Sequence, residues 1–253
     1  MVNEVDLDRR LYRDWWGVAM LFGVVAGVGV VRAMDVLGME TALRWGVVAT
    51  GVATFELGYL RRSLTLNHPH GNPSDLYGRL GVANFVTSIR GTCIAALAGF
   101  AVVSPTSRLA WLPAICYGFG VTLDVFDGAL ARTLDRRTVL GEKLDMAFDT
   151  TGFVIATVVA VRWGRLPIWY LAFPAARYVF KAACWRRERR GLVVESLPES
   201  DLRRYLAALQ MAFITFALTP LVPVDLVFFL APFTLLSSLT YFLRDYLVVT
   251  GRL

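Results

Sequence analysis

Long apolar runs alternate with short polar stretches along the whole chain. About 20 apolar residues are enough for a helix to cross a bilayer, and the pattern predicts eight such helices. They lie at 16–34, 40–60, 82–103, 109–127, 145–162, 167–185, 205–222 and 225–247. The first run starts at Trp15 and Trp16, which are typical interfacial anchors, and lacks a signal-peptide cleavage pattern, so we expect it to stay in the mature protein. The pattern predicts an all-α, polytopic membrane helical bundle.

The composition supports this prediction. Hydrophobic residues make up 56% of the 253 residues and charged residues 18%, whereas a soluble domain has roughly half and roughly a quarter. Eight crossings use most of the chain, so we expect no separate soluble domain.

The charges indicate an orientation. Most Arg and Lys residues lie in alternate loops, at 9–13, 61–79, 132–143 and 186–204, and the remaining loops hold few. The positive-inside rule then predicts a multi-pass protein of the cell membrane with both termini and the 132–143 loop in the cytoplasm. This loop bias and an anionic leaflet account for the net charge of +6, and we expect no nucleic-acid partner.

Four carboxylates stand near that cytoplasmic loop. Asp124 and Asp127 are three residues apart at the end of the fourth run, and Asp145 and Asp149 are four apart at the start of the fifth. Both spacings place a pair on one helix face. Because helices joined by a short turn lie antiparallel, the four carboxylates are expected to converge near the membrane surface.

Such a cluster needs a cation, because charged side chains within a membrane cost at least about 2.5 kcal/mol each when unpaired. Hard oxygen ligands favour Mg²⁺, Mn²⁺ or Ca²⁺. Gly128 and Ala131 share the face of the first pair and leave room for a ligand, Gly141 suits a close approach, and Arg132 is suited to a phosphate. Together these residues indicate a site for a nucleotide pyrophosphate.

The pattern Asp124-x2-Asp127-Gly128-x2-Ala131-Arg132-x8-Gly141-x3-Asp145-x3-Asp149 resembles the signature of the CDP-alcohol phosphotransferases, integral membrane enzymes of phospholipid head-group assembly. The resemblance implies a six-helix core at residues 80–253. The two transmembrane helices predicted within residues 1–79 are then an extension in which this sequence departs from the family core. The resemblance also implies a homodimer.

The family resemblance assigns a role to each matching position. Two divalent ions, Mg²⁺ or Mn²⁺, would be held by Asp124, Asp127, Asp145 and Asp149, and Asp149 would also act as the general base. The CDP group would lie against Gly128, Ala131, Arg132 and Gly141. The implied reaction transfers a substituted phosphate group from a CDP-alcohol, most plausibly a CDP-lipid, to a small alcohol acceptor and releases CMP.

Further polar residues lie within the apolar runs. Asn84, Thr87 and Arg90 are spaced by three on one face and resemble positions in the first core helix of the family. Asn84 and Thr87 are candidates for the CDP site and Arg90 for the acceptor site, with interhelical hydrogen bonding as the alternative. Arg177 and Lys181 are candidates for a phosphate-bearing acceptor, with snorkelling as the alternative.

Glu56, near the end of the second run, is interpreted as the partner of Arg61 or Arg62 in an interfacial ion pair. A divalent-cation transporter is the alternative function, since its membrane carboxylates would also bind metal. A transporter favours charges at the bilayer midplane and inverted repeats. Here the acids lie at one end of the runs and no repeat is visible, so the enzyme is the favoured interpretation.

Overall fold

The computed structural model describes residues 4–72, 74–106, 108–133, 138–195, 197 and 200–252, and the side chains of 4–8 and 127–133 are left undescribed. The described residues form eight α-helices and, apart from an isolated bridge, no β-structure. The helices are α1 (Glu4–Leu37), α2 (Met39–Ser63), α3 (Gly81–Gly99), α4 (Leu112–Thr133), α5 (Val139–Arg162), α6 (Ala172–Glu188), α7 (Asp201–Leu218) and α8 (Val224–Val249). The predicted all-α fold of eight helices is confirmed.

Four helical segments of the described chain are long and apolar enough to cross a membrane. They are Arg9–Leu37, Gly81–Val102, Val139–Arg162 and Val224–Val249, and Leu112–Phe126 in α4 is apolar but shorter. This fits a multi-pass membrane protein. That the other helices also cross the membrane stays a prediction.

The chain divides into two compact units, Met1–Val159 and Ala160–Leu253. In the first unit, α1 and α2 form a hairpin that turns at Gly38, whose φ of 80° suits glycine. Helix α3 packs against α1, α2 and α4. Of its most apolar stretch, 61% is buried, against 11% for α1. Helix α3 is therefore the central element of this unit.

Small residues make the contact of α2 with its neighbours. The buried positions of α2 recur at helical spacing, with Ala49, Ala53, Glu56 and Leu60 among them. Small side chains let helix backbones approach closely, and packing of this kind holds helices together in a bilayer, where burial from water contributes little. A charged residue within this buried series is unexpected.

Helix α5 begins at Val139, six residues before the predicted run at 145. Thr138 stands at the start of this helix, and its Oγ1 accepts a hydrogen bond of 3.0 Å from the backbone N–H of Gly141. A threonine that binds the third N–H of a helix is a typical N-cap. The cap starts the helix before the apolar run, and Gly141 lies in the first turn rather than in the loop before it.

In the second unit, α6 and α7 pack against α8. A neutral hydrogen-bond network lies in its interior, centred on Gln210, which is 0% exposed. The amide nitrogen of Gln210 donates to the Thr234 carbonyl and to Ser238 Oγ, both at 2.7 Å, and Tyr170 donates its hydroxyl to Gln210 Oε1 at 2.6 Å. These hydrogen bonds join the segment that carries Tyr170 to α7 and α8 through neutral groups.

Candidate active site

The polar residues of α3 face the interior of the first unit. Asn84, Thr87 and Arg90 are 5%, 2% and 3% exposed. A buried polar group needs a hydrogen-bond partner, and each of these three finds partners on α5 or on the loop before α3. The face predicted from their spacing is therefore the one on which α3 meets the carboxylates.

Asn84 joins the start of α3 to the start of α5. Its Nδ2 donates to the Leu80 carbonyl at 2.8 Å and lies 3.3 Å from Asn67 Oδ1 and 3.4 Å from Thr138 Oγ1. A Cβ at Gly141 would lie 2.9 Å from Asn84 Oδ1, and Cβ atoms in proteins essentially never come this close to another heavy atom of this kind. Gly141 therefore permits the close approach of a protein side chain, and its contact with the CDP group stays a prediction.

Arg90 lies among three of the four predicted metal ligands. Its guanidinium pairs with Asp124 of α4 and lies 3.3 Å from Asp149 Oδ1 and 3.5 Å from Asp145 Oδ1, both on α5. The arginine side chain is 4% exposed, and the three carboxylates are 30–42% exposed. The structure thus brings these carboxylates together around the buried guanidinium of Arg90, and each carboxylate stays partly accessible.

Thr87 supports one member of this group. Its hydroxyl lies 3.2 Å from Asp145 Oδ1 and 3.1 Å from the Ala83 carbonyl one turn earlier. Arg90 Nη2 also donates to the backbone carbonyl of Asp145 at 3.4 Å. Asp145 is held at its side chain and at its backbone, so its carboxylate has a defined position relative to Asp149 one turn along the helix.

Four further predicted residues lie on α4, beyond Asp124. Their backbone belongs to the helix, but their side chains lie outside the part of the chain that the structure describes. They are Asp127, Gly128, Ala131 and Arg132. Their predicted roles in metal and CDP binding are expectations that rest on the sequence.

The donor set fits a hard divalent cation. Carboxylate and hydroxyl oxygens on α3, α4 and α5 lie around one cationic group, and oxygen ligands are the ones that Mg²⁺ and Mn²⁺ prefer. Among the described residues, however, no three acidic, histidine or cysteine side chains are arranged to hold a metal as they stand. Arg90 occupies the place where their charges meet.

A cleft of about 740 Å³ opens at the start of α3. Arg10, Arg13 and Arg79 line it together with Asn84 and Thr138. Its volume lies within the roughly 300–1,000 Å³ typical of small-molecule sites. The three arginines give it a positive character that suits phosphate groups.

The other two candidates for the acceptor site, Arg177 and Lys181, lie on α6 in the second unit. Arg177 is half-buried and Lys181 is exposed. Their part in acceptor binding stays a prediction. Arg90 also stays a candidate, although its partners are the carboxylates of the first unit.

Glu56 departs from its sequence interpretation. Its side chain is 0% exposed, and neither carboxyl oxygen has a hydrogen-bond partner in the described structure. Arg61 instead lies over the rings of Tyr12 and Trp15, at 5.7 and 5.6 Å from their centroids. Helix neighbours are three or four residues apart, and Arg61 and Arg62 are five and six positions away. The informative signal was the spacing of Glu56 from Ala53 and Leu60.

The comparisons with known proteins give one match. The family model for CDP-alcohol phosphatidyltransferase matches residues 80–242, which is more than half of the chain. The match begins directly before α3 and includes α3 to α7 and most of α8. Neither the comparison with curated proteins nor that with solved structures finds a match.

Proposed function

This chain belongs to the CDP-alcohol phosphatidyltransferase family, and we propose that it is a metal-dependent enzyme that transfers a phosphatidyl-type group from a CDP-lipid to a small alcohol and releases CMP. The observation that carries the proposal is the meeting of Asp124, Asp145 and Asp149 at one partly exposed point. The family match covers all three of these residues.

Asp149 is the residue we assign as general base. It takes the proton of the acceptor hydroxyl as the acceptor oxygen forms a bond to the β-phosphorus of the CDP-alcohol. The bond from that phosphorus to the oxygen shared with CMP then breaks, and CMP leaves with the electron pair. Asp149 is 30% exposed, so an acceptor can reach it, and its Oδ1 lies 3.3 Å from the Arg90 guanidinium.

Asp124, Asp127 and Asp145 would hold the divalent cation together with Asp149. Bound there, the cation would offset the negative charge of the phosphoryl oxygens. Thr87 and the Arg90 guanidinium fix the direction of the Asp145 carboxylate. A carboxylate positioned before the ligand arrives costs less to organise when the ligand binds.

The donor would enter through the cleft at the start of α3. Asn84, proposed for the CDP group, lines this cleft, and Gly141 lies directly behind the Asn84 side chain. Gly128, Ala131 and Arg132 would complete the CDP site, as the family signature implies. Arg90, Arg177 and Lys181 are the candidates for acceptor contacts.

The orientation and the assembly follow from the same proposal. The arginine-rich loops support a position of the carboxylates on the cytoplasmic side of the cell membrane, and a homodimer is what the family resemblance implies. The family match favours an enzyme over the divalent-cation transporter, because members of this family are transferases.

The test is CMP release by the purified protein with Mg²⁺ or Mn²⁺, a CDP-diacylglycerol or CDP-ether-lipid donor and a panel of alcohol acceptors. Asp149→Asn should lower kcat by at least about a thousandfold while donor binding persists, because the base is lost and the shape is kept. Asp225→Asn, at an exposed position in the first turn of α8, is the matched control and should retain full activity. Folded protein that binds no CDP compound would contradict the proposal.

A further inference from the structure

Among the described residues of α2, Glu56 is the one carboxyl side chain that is fully buried. A buried ionisable side chain is costly unless it is paired or hydrogen-bonded, so its presence calls for an explanation. The helix that carries Glu56 precedes the family match at residues 80–242. The family resemblance therefore gives this residue no role.

The Glu56 carboxyl lies against the residue of α3 that follows Arg90 in the chain. It packs on Gly91, where a Cβ would come within 3.1 Å of Glu56 Oε2 and within 2.8 Å of the Phe148 ring. Gly91 follows Arg90, and Phe148 precedes Asp149. The absence of a side chain at Gly91 thus admits the carboxyl of α2 to the back of the proposed active site.

The Arg90 side chain has a hydrogen-bond donor that is not used in the described structure. Its Nε is buried and has no hydrogen-bond partner among the described residues, while its outer nitrogens face the aspartates. An unpaired buried carboxyl and an unpaired buried N–H group of opposite character therefore lie on neighbouring helices.

We propose that Glu56 is a positioning residue that shares the charge of Arg90 and thereby leaves Asp124, Asp145 and Asp149 available to a divalent cation. Without Glu56, the whole charge of Arg90 would face the three aspartates and compete with the incoming cation. With Glu56 behind it, the guanidinium can turn part of its charge and its Nε toward α2. The N-terminal helices would then be a part of the active site. The inference rests on the proposed metal-dependent function.

The test is a titration of the purified protein with Mn²⁺ in the absence of substrate, with bound and free Mn²⁺ measured by electron paramagnetic resonance. Glu56→Gln keeps the shape of the side chain and removes its charge. We expect the Mn²⁺ concentration at half-saturation, the Mn²⁺ midpoint, to rise about tenfold. Glu56→Asp keeps the carboxyl group and should restore part of the affinity, with a midpoint about threefold above that of the unchanged protein. Thr157→Val is the matched control, because Thr157 is another fully buried residue whose hydroxyl has no partner among the described residues, and it should leave the midpoint unchanged.

A second background separates an action through Arg90 from a direct effect of the Glu56 charge on the metal. In Arg90→Gln protein, the further change Glu56→Gln should shift the Mn²⁺ midpoint less than twofold. A tenfold shift in that background would overturn the positioning role. So would an unchanged midpoint in Glu56→Gln alone, or a lower melting temperature as its only effect.

The outcomes also separate this inference from the proposed function. Wild-type protein that binds no Mn²⁺ would refute the metal site itself, whereas Mn²⁺ binding that is indifferent to residue 56 would refute only the role of Glu56. If Glu56→Gln fails to fold, Glu56→Asp decides the matter. It moves the carboxylate back by one methylene and should raise the midpoint about threefold, and no change would overturn the inference.

Discussion

The two units of the chain bury polar groups in opposite ways. In the second unit, Gln210, Tyr170 and Thr234 are neutral and bind one another at 2.6–2.9 Å. In the first unit, Arg90 and Glu56 are ionisable groups, and Arg90 Nε and the Glu56 carboxyl oxygens have no hydrogen-bond partner among the described residues. The carboxylates around Arg90 are partly exposed. A satisfied neutral network suits a structural role, and an incompletely satisfied charged one suits the binding of a ligand.

The largest expected effect comes from Arg90→Gln, which removes the buried cation. Three carboxylates would then repel one another, and we expect the free energy of unfolding without metal to fall by about 2–3 kcal/mol, less than for a fully buried pair because the carboxylates are partly exposed. Saturating Mg²⁺ should recover much of this loss. Thermal unfolding with and without Mg²⁺ measures both values, and a loss that Mg²⁺ leaves unchanged would contradict the proposed metal site.

The opposite behaviour is expected for Tyr170→Phe. This change removes a hydroxyl with two hydrogen-bond partners, Gln210 and Thr234, and should lower the free energy of unfolding by about 1–2 kcal/mol. Neither the Mg²⁺ dependence nor the activity per folded molecule should change. A shift in the Mg²⁺ midpoint of this variant would show that the contrast between the two networks is wrong.

The smallest effect is expected at the edge of the proposed site, for Gly141→Ala. The new methyl group would meet Asn84 Oδ1 at 2.9 Å and Thr138 Oγ1 at 3.3 Å, so the Asn84 side chain must move. Stability should fall by about 1 kcal/mol, and the KM for the CDP donor should rise several-fold with kcat little changed. Steady-state kinetics at saturating acceptor distinguish these constants, and Gly51→Ala, where a Cβ meets open space, is the matched control.

The eight helices and the meeting of three aspartates could be predicted because they depend on local spacing. Apolar runs fix the helices, and intervals of three and four residues fix a shared face. The start of α5 was predicted too late, because the apolar run begins after the Thr138 cap. A search for capping residues would have found it.

The place of Arg90 among the aspartates could not be predicted from spacing, because it depends on how α3 packs against α4 and α5. Its sequence neighbours share a polar face, which is compatible with a CDP site, an acceptor site or an interhelical contact. Glu56 was misinterpreted for a related reason. The sequence interpretation pairs it with the nearest arginines in the chain, although the buried face of α2 directs it toward α3.

The order of the helices along the chain matters for the insertion of Arg90 into the membrane. An arginine at the centre of a membrane helix costs at least about 2.5 kcal/mol on insertion scales, and the N-terminal part of a chain is synthesised first. When α3 emerges from the ribosome, the aspartates of α4 and α5 do not yet exist, but Glu56 on α2 has already been made. If Glu56 has the role proposed above, the leading hairpin would give this arginine an early counter-charge during biogenesis.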